Sequence, residues 1–130
     1  NFDQNTLLID ASNNKVGENE ATPTSTLDIH GSISLPTAHF TATTGASYTM
    51  NEDDYLLFAN TSSAIAYINL PAPTTCPGRV YRFIKTRTAN GIMFNRTIEV
   101  KPSTVTNHFT GTDIKLTIIS DGSLWWKLEK

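Results

Sequence analysis

No stretch of this chain holds a 3.6-residue apolar repeat for even about ten residues, and turn formers (Gly, Pro, Asn, Asp, Ser) recur about every 8–12 residues. The runs between them are short and rich in Thr, Val, Ile, Tyr and Phe, side chains that suit a pleated, half-buried surface. A chain punctuated this often has no room for helices. The expectation is an all-β fold of roughly eight to ten strands, a compact antiparallel sandwich or barrel.

The strongest local signal is the end of the chain, Ile114 to Leu128 (IKLTIISDGSLWWKL), where two apolar-alternating runs flank Asp121-Gly122. A two-residue turn would put Ile118 opposite Trp125 and Leu116 opposite Lys127, mixing apolar and charged groups on one face. A three-residue loop, Asp121-Gly122-Ser123, pairs Ile118 with Trp126, Leu116 with Leu128 and Lys115 with Glu129, giving one clean apolar face. Side chains alternate with period two, so one residue of slip exchanges inside for outside. The sequence favours the three-residue loop, with Trp126 inside and Trp125 outside.

The 130 residues divide into two stretches by apolar density. Residues 1–45 offer short extended pieces around Leu7–Asp10 and Val16, then Leu27 and Ile29 before His30-Gly31 and Ile33 and Leu35 after it. Residues 36–47 read as a connector. So few apolar side chains cannot enclose a core, so this stretch is expected to intertwine with partner chains as a stalk. Residues 46–130 carry denser strand signals and are expected to form the compact β-domain, with a loop between Pro102 and Gly111 that carries Phe109.

Charge narrows the function classes. Ten basic and twelve acidic residues leave a formal net charge of −2, so no field draws the chain to nucleic acid or anionic lipid. No apolar run approaches the ~18 residues of a membrane span, so membrane insertion is not expected. The single cysteine, Cys76, excludes an internal disulfide framework and a multi-cysteine zinc site. His30, His39 and His108 have no partner at metal-ligand spacing, so no metal ligands and no cofactor are assigned.

Catalytic chemistry finds little footing. Glu52-Asp53-Asp54 is a run rather than a pair facing across a cleft, and it reads as a polar turn. Asp113 and Asp121 sit in loops. No nucleophile elbow, P-loop or dinucleotide fingerprint occurs. No catalytic residue is assigned, and the chain is not expected to be an enzyme. The basic residues Arg79, Arg82, Lys85, Arg87 and Arg96 concentrate on one strand and just beyond the next; they suit a solvated strand or a contact with an acidic glycan or a phosphate. Sugars lay apolar ring faces on aromatic side chains, which singles out Trp125 and Phe109 as candidate ligand-binding residues, with Tyr67 weaker.

Thr22 to Ser34 (TPTSTLDIHGSIS) resembles a segment that recurs in phage tail-fibre and tailspike chains and in bacterial surface proteins. Residues 48–128 resemble a small distal fibre domain, through Tyr48, Asp53 and Asp54, Leu70-Pro71, Gly78-Arg79, Ile84-Lys85 and Ile119-Ser120-Asp121-Gly122-Ser123 with Trp125-Trp126. The resemblance implies a homotrimeric, extracellular virion appendage that joins other virion proteins and attaches to a host glycan or surface receptor. The alternative is a structural decoration or trimer clamp without a ligand.

Overall fold

A computed structural model describes residues 6–101, 104–111 and 114–128. Asp113, and Glu129 expected opposite Lys115, lie outside the described residues. The chain separates into two compact units, one ending at Ser34 and one beginning at Leu35. The division falls about ten residues before the compositional one, because residues 37–41, expected as connector, form a strand of the second unit.

The first unit is a three-stranded sheet. Strands β1 (Leu7–Asp10) and β2 (Lys15–Glu18) are antiparallel, and β3 (Leu27–Ile29) runs parallel to β2. Polar side chains organise its turns. The Asp10 carboxylate accepts the Ser12 and Asn13 N–H groups and the Asn13 amide, while Asn14 takes the left-handed backbone (φ 53°) that closes the loop. Glu20 holds the N–H and hydroxyl of Thr22, and Asp28 those of Thr24. Hydrogen bonds to the ionised form keep all three carboxyls below their ordinary pKa: chiefly the Asn13 amide at Asp10, and the Thr22 and Thr24 N–H groups at Glu20 and Asp28. No Leu, Ile or Val of this unit is buried among its described residues; Ile9, Leu27 and Ile33 are 54, 59 and 62% exposed.

The second unit is all-β, one nearly closed, barrel-like sheet. Strands β4 (Thr37–Thr41), β6 (Leu56–Asn60) and β8 (Val80–Lys85) form one parallel arm, and β5 (Ser47–Thr49), β7 (Ala66–Asn69) and β9 (Ile92–Lys101) form the other. The chain alternates between arms, so each successive pair of strands makes one circuit of the interior. Strands β11 (Lys115–Ser120) and β12 (Trp125–Lys127) form a hairpin that joins the arms, β11 antiparallel to β8 and β12 parallel to β9. Strand β10 (Thr104–Phe109) lies antiparallel along β9.

Expected antiparallel pairing is thus corrected for both arms. A turn signal says that the chain reverses; it does not say that the next strand lies alongside. Here the short loops carry the chain across to the opposite arm. The loop expected around Phe109 is likewise strand β10. Its close approach explains Gly91, where a Cβ would stand 2.6 Å from the Phe109 carbonyl oxygen.

Inward residues follow the period of two. Leu57, Ala59 and Phe83 come from one arm, Ala66, Ile68, Ile92 and Phe94 from the other, and Leu116, Ile118 and Trp125 from the hairpin. Phe83 and Phe94 meet edge-on across the arms, with ring centres 5.0 Å apart. Tyr81 and Phe83 point inward on β8 while Val80 and Ile84 are less enclosed, as the alternation predicts. Lys85, on the same inward set, is only 6% exposed, and its ammonium donates to the Asn90 and Gly111 carbonyls. That removes it from the basic residues expected to be solvated or to meet an anionic ligand.

The hairpin register is corrected too. Ser120 pairs with Trp125, Ile119 with Trp126 and Ile118 with Lys127, leaving a four-residue loop, Asp121–Leu124. The Asp121 carboxylate accepts the Ser123 and Leu124 N–H groups and the Trp126 indole N–H, and Gly122 adopts φ 92°. These bonds, led by the Leu124 N–H, hold the Asp121 carboxyl below its ordinary pKa. One residue of slip puts Trp125 inside and Trp126 at the rim, the reverse of the expectation.

Candidate functional site

The corner between β7 and β8 brings together the side chains best suited to recognition. Its sequence, Pro71-Ala72-Pro73-Thr74-Thr75-Cys76, cannot continue a strand ladder, because two of its first three residues lack an N–H. It turns through a single 3-10 turn at Pro73–Thr75. Its carbonyls still need donors, and both strands of the terminal hairpin supply them. The Trp125 indole N–H donates to the Pro71 carbonyl at 3.2 Å, and the Ser120 hydroxyl to that of Pro73 at 2.9 Å. Just upstream, Leu70 is held at both ends: its N–H donates to the Asn95 side-chain oxygen at 2.8 Å, and its carbonyl accepts Arg96 Nε at 3.1 Å.

A groove opens on either side of this braced corner. The larger, about 410 Å³, is lined by the Asn51–Asp53 turn, Pro71, Thr75, Cys76, Arg79 and Tyr81 among others. Its polar groups are largely engaged with the fold. Tyr81 donates its hydroxyl to the Asn51 carbonyl at 2.8 Å, Arg79 donates to the same carbonyl at 3.3 Å, and Cys76 donates its thiol to Ala72. Burial raises the Tyr81 pKa, so the ring stays a neutral phenol at physiological pH. Glu52 and Asp53 are exposed, and Asn51 and Asp54 close the turn between them as expected.

The second groove, about 290 Å³, is lined by Ala72, Pro73, Thr74, Arg96, Thr97, Ser123, Leu124 and Trp125. It combines one guanidinium, three hydroxyls and an apolar floor. Trp125 takes part only as a buried wall: it is 1% exposed and stacks on Tyr81, with ring centres 5.5 Å apart. A face so enclosed cannot serve as a sugar platform. Phe109 is half-buried, edge-on to Phe94, and away from both grooves. Tyr67 is the exposed candidate, at 41%, on the outer face of β7. Trp125 and Phe109 are therefore not brought together in one site.

Sequence reasoning missed Thr74, Thr97, Ser123 and Leu124, which come from three separate segments. A usable signal was the Pro71-x-Pro73 turn, whose carbonyls required donors from elsewhere. No group of three or more metal-ligating side chains occurs among the described residues. No protein-family model, curated protein or solved structure matches the chain.

Proposed function

We propose that this chain is a non-enzymatic module of a homotrimeric virion fibre or spike that attaches to a host cell surface. The observation that carries the reading is the first unit: a three-stranded sheet without a buried Leu, Ile or Val, whose Ile9, Leu27 and Ile33 stand in solvent. Apolar surface of that kind is stable when neighbouring chains cover it, and identical chains around a symmetry axis provide cover at no cost in sequence. The second unit supplies a firmly braced corner with two polar-lined grooves, which suits multivalent contact: three weak sites on one head gain avidity through effective concentration.

Sedimentation equilibrium tests the assembly, with a mass three times that of the chain expected and a stable monomer overturning it. A host-cell pull-down with the trimer tests attachment. A ligand-free clamp is the second reading, favoured by the way Arg79, Tyr81 and Trp125 spend their polar groups on the fold itself. A trimer that binds no host surface decides for the clamp.

A further inference from the structure

We propose that the groove between the Pro71–Thr74 corner and the Ser123–Trp125 loop binds a carboxylated sugar of an acidic glycan, with the Arg96 guanidinium clamping the carboxylate. The proposal rests on the attachment reading and names the ligand class of one of its grooves.

Arg96 is the reason. Its Nε donates to the Leu70 carbonyl at 3.1 Å, and Leu70 is itself fixed by the Asn95 side chain. The guanidinium is therefore positioned by the backbone of the corner it lines, rather than swinging freely from an exposed strand. A guanidinium fixed through Nε still has two terminal nitrogens, whose parallel N–H groups match the two oxygens of a carboxylate. Preorganisation of this kind lowers the ordering cost of binding.

The remaining walls select for a sugar. Thr74, Thr97 and Ser123 are exposed and bring hydroxyls to the rim, while Ala72, Pro73 and Leu124 give an apolar surface that fits the C–H face of a pyranose. No carboxylate lines this groove. The larger groove differs on that point: Glu52 and Asp53 accompany Arg79 there and repel an anionic ligand. At about 290 Å³ the groove sits near the lower end of ligand sites, roughly 300–1,000 Å³, a size for one sugar ring and part of the next.

Titration calorimetry on the whole chain, in the assembly it forms in solution, tests the proposal with an oligogalacturonate, a sialyl-oligosaccharide, the carboxyl-reduced oligogalacturonate and inorganic phosphate as probes. Expected are binding of at least one carboxylated probe, a loss of about tenfold or more on carboxyl reduction, and a similar loss in Arg96→Gln, in line with the strength of a bidentate charged pair. Arg96→Lys, which keeps the charge but not the fork, recovers only part of the affinity. Arg82→Gln, an exposed cation on β8, leaves it unchanged. Circular dichroism melts of each variant establish that the fold is intact, and if Arg96→Gln alone unfolds, the Arg96→Lys comparison decides.

Equal affinity for the reduced probe, full affinity in Arg96→Gln, binding of phosphate in preference to carboxylate, or no binding of any carboxylated probe overturns the proposal. Host-cell binding that persists in Arg96→Gln sinks this groove and leaves attachment standing. Absent host-cell binding by the wild-type trimer sinks attachment itself.

Discussion

Replacing Trp125 with alanine tests the hairpin register and, through it, the closure of the sheet. Trp125 is buried, stacks on Tyr81, and donates its indole N–H to Pro71. Truncating a buried Phe or Trp costs about 3–5 kcal/mol, because the cavity collapses only in part. The lost hydrogen bond adds about 1 kcal/mol. A domain of this size has roughly 5–15 kcal/mol in total, so the variant keeps a folded state with little margin. With a urea slope of about 2 kcal/mol per molar, a combined loss of about 5 kcal/mol lowers the midpoint by about 2.5 M. Trp126→Ala removes a half-buried rim side chain from Ile119 and Asp121, and its midpoint should fall less than half as far. Circular dichroism at a strand band follows both variants without relying on tryptophan emission. A larger fall for Trp126→Ala than for Trp125→Ala would mean that the three-residue loop is the true register and that Trp125 does not brace the Pro71 corner.

Gly91→Ala places a methyl against the Phe109 carbonyl and the His108 ring; overpacking of this kind costs about 1–3 kcal/mol, or about 4–8 °C of Tm per kcal/mol, and an unchanged melt would refute the close approach of β10. Acid should loosen the turns of the first unit. The folded-state pKa values of Asp10, Glu20 and Asp28 are lowered, so their stabilisation is complete above the ordinary carboxyl values, 3.8 for Asp and 4.5 for Glu, and is lost as the pH falls through the lowered ones. Hydrogen exchange at the Val16 and His30 amides, which donate to Thr26 and Glu18, reports the change. Equal protection at neutral pH and at pH about 2 speaks against carboxylate-held turns.

Much of the second unit's strand content was legible in the sequence, since short strand-favouring runs lie between its turn formers, and on β8 the inward Tyr81 and Phe83 alternate with Val80, Arg82 and Ile84. Pairing was not. Leu57 and Phe83 align through a parallel ladder between strands 26 residues apart, and nothing local to either strand records that separation. Strand β4 was hidden because its alternation is carried by Ala38 and Phe40 between Thr and His, too polar a run to stand out from a connector. The hairpin slip has a different origin. The clean apolar face assumed that Leu128 needed cover, whereas Leu128 is 55% exposed and Asp121 uses its carboxylate to hold a longer loop. For the site, cations could be located but not their settings: Lys85 and Arg96 look alike in sequence, and one is buried on carbonyls while the other lines a groove.

The hydrogen-bonded path that runs from β4 through the hairpin to β5 begins and finishes in the same circuit. Thr37 pairs with Leu56 and Ser47 with Tyr67, so the first circuit spans about twenty residues, and the next, from Leu56 to Arg82 and from Ala66 to Ile92, spans 26. A further circuit spliced ahead of β4 would add one strand to each arm and leave the hairpin and both grooves where they are. The architecture is thus modular in length: its reach can change by duplication in steps of one circuit, independently of the two grooves.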